Sequence, residues 1–355
     1  MATKRVGILT GGGDAPALNA VIRGAVRRGV TVYDYEFVGL RLGWRGLLEK
    51  LTVPLGLPEV EDILELGGTI LGSSRTNPFG RNAEVEVPQC EKNFKELGLD
   101  ALIASGGDDT LGVARKFSDR GLPMVGVPKT IDNDVAVTDY TFGFWTAVER
   151  VMRSVDELRT TARSHERIFI VEAMGRHAGW IAAYGGMAGG ADYIFTPEQP
   201  FELDDLAWSL RRRWEAGYHY ALVVVAEGAE WKGREVYQED VAKDEFGHVY
   251  LGGIGLELSK ALGKMLAPEF GRKTNDLTRH VVLSHLQRGG SPCAFDRILG
   301  TRYGAGAVDL IATKKYGYMT ALKGVDVVPA EITDAVSETK MVSQDFLDLA
   351  RNFFY

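Results

Sequence analysis

The chain has 355 residues, of which 45% are hydrophobic and 25% charged, a composition typical of globular proteins with enough apolar material for a core. At about 100–200 residues per domain, this length predicts two domains. The net charge of −7, with no basic run longer than the trio Arg211–Arg213, argues against a nucleic-acid-binding protein, and we expect the trio to be solvated.

Cysteine content and the N-terminal sequence indicate the cellular compartment in which the protein is expected. Cys90 and Cys293 are far apart, so neither a disulfide framework nor a zinc site is expected. The N-terminal run MATKRVGILTGGG lacks the long apolar region and the cleavage site of a signal peptide. No apolar stretch reaches the ~18 residues of a candidate membrane span. We therefore expect a soluble, cytoplasmic protein.

Six short apolar segments predict β-strands. Their nearly continuous apolar character is typical of parallel strands that are buried on both faces. The segments are 5–10, 101–105, 124–127, 167–173, 220–227 and 280–284.

Helical patterns lie between these strands. In 16–29, apolar residues recur at the spacing of one helix face, with Asp14 placed to cap the helix and Pro16 near its first turn. A second helix is predicted from 142 to 162, whereas 228–251 and 264–279 are polar and expected to be rich in loops. Alternating strands and helices predict an α/β fold with right-handed crossovers.

Four segments with polar residues follow predicted strands: GGGDAP (11–16), GGDDT (106–110), PKTIDND (128–134) and EAMGRHAG (172–179). Ligands of open α/β sheets bind beyond the carboxyl ends of the strands, so we expect these segments to lie close together. In the first of them, backbone N–H groups at the start of a helix favour an anion. A plain tight turn is an equally good interpretation of that segment.

The GGDDT segment combines backbone access with two carboxylates. A carboxylate near phosphates usually binds Mg²⁺, which takes oxygen ligands, and Asp108 is the candidate. The alternative is that Asp108, Asp109 or Thr110 caps the helix that follows. Both interpretations are compatible with each other.

The PKTIDND segment offers a cation, a hydroxyl and two carboxylates in seven residues. Phosphoryl transfer to an alcohol needs a carboxylate at the hydroxyl and positive charge at the phosphate oxygens. Lys129 and Thr130 are placed to bind phosphate while Asp132 takes the proton. Asp132 and Asp134 face the same way if the segment is extended. The alternative is a turn held by Asx-type hydrogen bonds.

Arginines beside glycine-rich segments indicate phosphate binding, because the guanidinium fork matches phosphate oxygens. Surface ion pairing is the alternative for each one singly. The arginines concerned are Arg75, Arg167, Arg176, Arg279 and Arg288.

Taken together, the motifs resemble those of 6-phosphofructokinases in order and spacing. They are TGGGDAPALNAVIRG, GGTILGSSR, GGDDT, PKTIDND, EAMGRHAGW and HLQRGGSP, and they cover roughly residues 5–300. The resemblance implies two α/β domains with mostly parallel sheets flanked by helices, and an active site in the cleft between them. By that match, residues 1–143 and 288–337 form the donor- and Mg²⁺-binding domain, and 144–287 and 338–355 the sugar-phosphate domain.

The resemblance also implies residue roles. Asp132 is similar to the base that deprotonates the 1-hydroxyl of fructose 6-phosphate, and Asp134 to the carboxylate beside it. Thr130 and Arg176 resemble ligands of the transferring phosphoryl group, and Asp108 the aspartate associated with Mg²⁺. The implied contacts of fructose 6-phosphate are Thr130, Asp132, Arg167, Met174, Gly175, Arg176, Glu227, Arg279, His285 and Arg288. Those of the donor phosphates are Gly11, Gly12, Arg75, Gly107, Asp109 and Lys129.

Two positions indicate the donor. ATP-dependent members of the family carry glycines where this chain has Asp109 and Lys129, and the pair resembles the pyrophosphate-dependent signature. A carboxylate at 109 adds bulk and a like charge beside a third phosphate, worth about 4 kcal/mol at ~4 Å and an effective dielectric of ~20. Lys129 compensates the charge of a compact donor. Some ATP-dependent relatives carry the lysine but keep the glycine, so Asp109 is the deciding residue.

The expected activity is therefore reversible, Mg²⁺-dependent transfer of phosphate from pyrophosphate to fructose 6-phosphate, a step of glycolysis and gluconeogenesis. An ATP-dependent phosphofructokinase, a NAD- or lipid-kinase-type protein and a non-catalytic sugar-phosphate-binding regulatory subunit are the alternatives. In the family, the arginines matching Arg167 and Arg279 reach into the neighbouring subunit's site, which implies a homodimer or homotetramer.

A further departure from the family pattern lies near the start of the first predicted helix. Ala17 replaces a usual glycine, and we expect it in the first turn of the helix, where alanine is the better helix former. Arg23 and Arg27 match the neighbourhood of the effector site in regulated members, but the rest of that site is not matched.

Overall fold

The computed structural model describes residues 3–233 and 251–354. They divide into two compact units. The first unit holds residues 3–146 and 288–339, and the second holds 147–233, 251–287 and 340–354.

The strands of the described residues are β1 (Arg5–Thr10), β2 (Glu36–Leu40), β3 (Thr52–Leu55), β4 (Ala101–Gly106), β5 (Met124–Thr130), β6 (Phe142–Gly143), β7 (Ile168–Ala173), β8 (Tyr193–Phe195), β9 (Ala221–Ala226), β10 (Thr278–Val282), β11 (Tyr318–Lys323) and β12 (Asp326–Glu331). The α-helices are α1 (Leu18–Tyr33), α2 (Trp44–Leu48), α3 (Ala83–Glu96), α4 (Asp108–Asp119), α5 (Phe144–His165), α6 (Trp180–Ala188), α7 (Leu203–Glu215), α8 (Ile254–Leu266), α9 (Thr274–Leu277), α10 (Ala294–Ala312), α11 (Ile332–Ala335) and α12 (Gln344–Arg351). Short 3-10 helices occur at Pro58–Val60 and Ser284–Gln287.

The sheet of the first unit has the strand order β12-β11-β5-β4-β1-β2-β3, with β6 paired to β5. Strands β1, β4 and β5 are parallel neighbours and are fully buried apart from Arg5. The two outer pairs, β11–β12 and β2–β3, are antiparallel. Because β1, β4 and β5 run in the same direction, the segments that follow them leave from one edge of the sheet.

The second unit has a four-stranded sheet with the order β10-β7-β9-β8, in which every pair is parallel. The predicted parallel strands are confirmed in both units, but the sixth is shifted and not buried on both faces. Strand β10 begins at Thr278 rather than at 280, and its burial alternates because it is an edge strand. Val282, for example, is 45% exposed.

Apolar side chains cover both faces of the first unit's sheet. One buried cluster packs α1 and α10 against β1 and β4, and includes Leu18, Ile22 and Tyr303. The other cluster packs α3 and α4 against the opposite face and includes Phe94 and Phe117. These two layers fix the strands that carry the candidate site, as expected for a parallel sheet covered by helices.

The start of α1 differs from the prediction. The helix begins at Leu18, and its N-cap is Ala17, which has a left-handed backbone with φ 74°. Asp14 is therefore not the N-cap residue, contrary to expectation. Ala17 therefore does not lie in the first helical turn, and it occupies a conformation that favours glycine.

Two further expectations, for residues 264–279 and for Arg213, are wrong, and a third lies largely outside the described residues. Residues 264–279 are not mainly loop, because they hold the end of α8, all of α9 and the start of β10. Arg213 is not solvated, since its guanidinium is buried and pairs with Asp192 at 3.0 Å. Of the polar segment 228–251, residues 234–250 lie outside the described residues.

No helix within 3–233 or 251–354 combines the length and apolar character that a membrane span needs.

Candidate active site

The segment 11–14 connects β1 to the start of α1 and packs against three neighbouring segments. The N–H of Gly11 donates to the Ser105 carbonyl at 2.9 Å, and that of Gly12 to the Ser74 carbonyl at 3.0 Å. These two N–H groups are therefore satisfied by the protein and are not directed at an anion, as expected from the tight-turn interpretation of this segment. Gly12 has φ 77°, which requires the conformational freedom of glycine.

Arg288 lies against this segment. Its Nη1 donates to the Asp14 carbonyl at 2.9 Å, and a Cβ at Gly13 would approach that same nitrogen to 2.9 Å. The absence of a side chain at Gly13 thus leaves room for the guanidinium. The Arg288 side chain thus brings positive charge to this turn.

Lys129 supplies a second cation to the same turn. It lies on β5, is 3% exposed, and its ammonium donates to the Gly13 carbonyl. Burial, followed by the charge of Arg288, lowers the pKa of Lys129 to about 8, although Asp132, Asp14 and Asp108 act in the opposite direction. The ammonium is held where desolvation strengthens its attraction for an anion.

Asp132 follows β5 and is 4% exposed. Its N–H donates to Thr130 Oγ1 at 3.0 Å, which fixes the turn at the end of the strand. Its Oδ1 is buried and has no hydrogen-bond partner among the described residues. A buried carboxylate oxygen without a partner is costly to the fold, so it is a candidate contact for a substrate hydroxyl.

Asn133 determines the path of the segment beyond Asp132. It has a left-handed backbone with φ 53°, so residues 132–134 are not extended, and the condition under which Asp132 and Asp134 were expected to face the same way is not met. The Asn133 Oδ1 accepts the Thr141 N–H at 3.0 Å, and the Thr141 hydroxyl donates to the Thr130 carbonyl at 2.7 Å. These bonds close the loop and hold Thr130 in place.

Asp108 and Asp109 form the first turn of α4, after the N-cap Gly107. The N-cap position is held by Gly107, so none of Asp108, Asp109 and Thr110 is the N-cap residue and the capping hypothesis is wrong. Negative charge is nevertheless favourable there because of the helix dipole. Asp108 is exposed and Asp109 is partly exposed, whereas Thr110 is buried.

These observations allow a test of the Mg²⁺ hypothesis. The described residues contain no group of three or more histidine, cysteine or acidic side chains that would form a complete metal site. Mg²⁺ differs from most metals in keeping several waters and binding through one or two carboxylates together with substrate phosphates. An exposed carboxylate at Asp108, at the sheet edge that carries Lys129 and Asp132, fits that mode of binding.

Arg75 lies next to the turn 11–14, because the residue before it, Ser74, is bonded to that turn. It is exposed, and the neighbouring Ser74 accepts the N–H of Gly12. In the first unit, the predicted residues lie after β1 and β4, at the end of β5 and just after it, together with Arg75 and Arg288. The set is Gly11, Gly12, Arg75, Gly107, Asp108, Asp109, Lys129, Thr130, Asp132, Asp134 and Arg288.

In the second unit, the segment 174–179 follows β7 and forms a tight turn. The Met174 N–H donates to Gln287 Oε1 at 3.2 Å, and the Arg176 N–H to Glu227 Oε1 at 3.1 Å. Arg176 has φ 54° and Gly175 has φ 145°. Positive φ at a bulky residue is strained and tends to persist at functional sites.

Two predicted arginines, Arg167 and Arg279, contact the backbone at α9 and just after it. Arg167 Nε donates to the Asp276 carbonyl at 3.0 Å, and Arg279 Nη1 to the Thr278 carbonyl at 2.9 Å. His285 is exposed, and its Nδ1 lies 3.0 Å from the Ser284 hydroxyl. These side chains are all in the second unit, as are Met174, Gly175, Arg176 and Glu227.

Sequence reasoning missed two acceptors that hold the turn 174–179. Gln287 is fully buried and lies inside the motif HLQRGGSP, so its position there was a usable signal. Glu198 binds the N–H of Gly179 at 2.9 Å and had no signal in the sequence. It stands in an ordinary acidic segment after β8.

The comparisons with known proteins agree with this architecture. The phosphofructokinase family model matches residues 5–311. The chain is 53% identical to the pyrophosphate–fructose 6-phosphate 1-phosphotransferase of Dictyoglomus thermophilum, over 100% of this chain and 99% of that one. It is 48% identical to ATP-dependent 6-phosphofructokinase 3 of Streptomyces coelicolor, over 95% of this chain and 96% of that one.

Among solved structures, the phosphofructokinase of Pichia pastoris in the T-state superimposes with a TM-score of 0.80 and 32% identity. The match covers 99% of this chain and 36% of that longer chain. The fold and the glycine-rich strand ends thus define an α/β phosphotransferase-type protein. The chain belongs to the phosphofructokinase family and has its fold.

Proposed function

We propose that this protein transfers phosphate from pyrophosphate to the 1-hydroxyl of fructose 6-phosphate, giving fructose 1,6-bisphosphate and phosphate. The observation that carries the proposal is the placement of Lys129, a buried cation that contacts the glycine turn through the Gly13 carbonyl. Together with Asp109 in the first turn of α4, it gives the donor position a charge pattern suited to a compact anion. The name of the relative at 53% identity supports the same donor.

The donor phosphates would lie beside the turn 11–14. Lys129 supplies positive charge there, and it is fixed through the backbone carbonyl of Gly13. Asp109 limits the space and adds negative charge where a nucleotide would continue beyond its second phosphate. Mg²⁺, which Asp108 would hold, neutralises the donor oxygens when it is bound.

Asp132 would act as the base. Its Oδ1, which has no hydrogen-bond partner among the described residues, would accept the proton of the sugar 1-hydroxyl as the oxygen of that hydroxyl attacks the phosphorus. The bond between the transferred phosphorus and the bridging oxygen breaks, and inorganic phosphate leaves. Thr130 and Arg176 would bind the oxygens of the transferring group, and Asp134 would lie beside the base.

The sugar phosphate would be bound mainly by residues of the second unit. Met174 and Gly175 present backbone to the ligand, and Glu227 is held at the Arg176 N–H. Guanidinium and imidazole groups would bind the 6-phosphate. They are Arg167, Arg279, His285 and Arg288. By the family resemblance, Arg167 and Arg279 would serve a neighbouring subunit's site, so we propose a homodimer or homotetramer.

The donor anhydride and the product ester have similar free energies of phosphoryl transfer, so we propose that the reaction runs readily in both directions. An ATP-dependent activity is the second candidate, because a relative with that name is 48% identical over nearly the whole chain. A non-catalytic regulatory role is disfavoured, since binding alone would not need a base at Asp132.

The decisive experiment compares initial rates with fructose 6-phosphate and Mg²⁺, using pyrophosphate or ATP at equal concentrations. We expect turnover with pyrophosphate and at most a trace with ATP. Turnover with ATP alone would overturn the donor assignment while leaving the sugar substrate intact. Absence of turnover with either donor, with intact fructose 6-phosphate binding, would favour the regulatory role.

A further inference from the structure

The Arg176 loop, defined as residues 174–179, is held at three points by side chains of the second unit. Gln287 accepts the Met174 N–H, Glu227 accepts the Arg176 N–H, and Glu198 accepts the Gly179 N–H. The first two hold the start and the middle of the loop. The bond from Gly179 to Glu198 holds the end of the loop. Among the described residues, it is the one bond that the structure shows from a backbone N–H at that end to a side chain outside the loop.

Glu198 lies at the point where the loop becomes α6. Both of its carboxylate oxygens accept the Gly179 N–H, at 2.9 and 3.2 Å. A Cβ at Gly179 would approach Glu198 Oε2 to 2.7 Å and the Thr196 side chain to 2.3 Å, so the fit requires glycine. A negative charge at this helix N-terminus is also favoured by the helix dipole.

The same carboxylate binds the C-terminal segment, defined as residues 340–354. Glu198 Oε1 accepts the Val342 N–H at 3.0 Å. Trp180, the first residue of α6, donates its indole N–H to the Lys340 carbonyl at 2.7 Å. The Tyr184 and Phe346 rings stack with centroids 4.3 Å apart. The C-terminal segment thus packs directly on the helix that begins at the Arg176 loop.

We infer that Glu198 is a positioning residue for Arg176 and links the Arg176 loop to the C-terminal segment. Arg176 has a strained left-handed backbone, which persists only where its surroundings fix it. Removal of the bond at Gly179 lets the end of the loop relax, and the guanidinium moves from its place. The part of the inference that concerns the role of Arg176 rests on the proposed function. The link between the Arg176 loop and the C-terminal segment rests on the contacts alone.

The conservative variant Glu198→Gln separates geometry from charge. A glutamine carbonyl at the Oε1 position retains the bonds to Gly179 and Val342, whereas Glu198→Ala removes both. Glu215→Gln, at the exposed end of α7, removes the same charge elsewhere and serves as the control. We expect Glu198→Ala to lower kcat about 10–100-fold, the size of effect that a misplaced group produces. We expect Glu198→Gln to lose less than about threefold.

A double-mutant cycle tests whether the effect passes through Arg176. In the Arg176→Ala background, we expect Glu198→Ala to lower kcat less than about twofold further, while its effect on thermal unfolding stays the same in both backgrounds. Losses of kcat that multiply would show a merely structural role and overturn the inference.

Hydrogen exchange tests the linkage without any assay of activity. In Glu198→Ala, we expect the amides of 174–180 and 340–347 to exchange at least tenfold faster together, with no such change in the Glu215→Gln control. Unchanged exchange in the Arg176 loop would overturn the inference whether or not the protein uses pyrophosphate. Absent turnover in the wild-type protein would instead count against the proposed function alone.

Discussion

The ammonium of Lys129 donates a hydrogen bond to the carbonyl of Gly13, 116 residues earlier in the chain. Strand pairing explains the contact, because β1 and β5 flank β4 and both end at the same edge of the sheet. The turn that follows β1 therefore lies over the end of β5. The contact gives a buried cation to a segment in which the N–H groups of Gly11 and Gly12 are already bonded, and its energetic consequences can be measured.

The lowered pKa of Lys129 predicts a pH dependence of stability. The pKa falls from 10.5 to about 8 on folding. Below pH 8 both states carry the proton, so the folded state bears the full cost of burying the charge. Between 8 and 10.5 the unfolded chain binds more protons than the folded one, so the free energy of unfolding rises with pH by up to about 1.4 kcal/mol per unit.

The measurement is chemical denaturation from pH 7 to 10.5 on the wild-type protein and on Lys129→Met, which cannot titrate at this position. The difference between the two should stay flat below pH 8 and grow above it. A difference that is constant over the whole range would contradict the burial of an ionisable ammonium. Bound pyrophosphate should move the rise to higher pH, because an anion stabilises the charged form.

Donor choice is expected to follow residues 109 and 129. Asp109→Gly, alone and with Lys129→Gly, removes the bulk and charge beside the donor, and ATP turnover should appear, at least about tenfold above the wild-type level with ATP. The Michaelis constant for pyrophosphate should rise about tenfold or more in the double variant, since a buried cation is lost. Initial rates with both donors check this, and a variant that still rejects ATP would refute the steric argument.

The catalytic base is expected to be separable from binding. Asp132→Ser should lower kcat about 10²–10⁴-fold, the range for loss of a general base, while fructose 6-phosphate binds nearly as before. Single-turnover rates and calorimetric titration of the sugar phosphate measure the two properties. Asp139→Asn, which removes a carboxylate from the same loop, is a suitable comparison. Equal loss in both variants would indicate damage to the loop instead.

The left-handed backbone at Ala17 predicts an unusual pattern of substitution effects. Ala17→Gly should change the free energy of unfolding by less than about 1 kcal/mol, because relief of the strained backbone offsets the greater freedom of the unfolded chain. Ala17→Val should cost about 2 kcal/mol or more, since a β-branched residue is poorly tolerated at φ 74° in a fully buried position.

Denaturant unfolding of the three proteins distinguishes this from a helical Ala17. In the first turn of a helix, glycine would cost up to about 1 kcal/mol and valine about 0.5 kcal/mol. That order of effects would place residue 17 inside α1 after all.

The sequence by itself identified the family and six of the twelve strands that the described residues form. Apolar runs such as 5–10 and 101–105 became β1 and β4 almost residue for residue, because a strand buried on both faces needs an unbroken apolar run. The polar motifs after these runs identified the family, since their order and spacing are properties of the chain. Both signals are local, and neither depends on how distant segments meet.

Only the tertiary structure decided the conformations and partners that depend on distant segments. Ala17 looked helical but takes a left-handed conformation where the turn 11–14 is packed against other loops. Arg213 looked solvated from its helix but is buried against Asp192 of another segment. Arg288 meets the carbonyl of Asp14 across 274 residues, and Glu198 meets both Gly179 and Val342. Periodicity reports which face of an element is apolar, but not what covers that face. The partner of a polar group is set by the path of the whole chain.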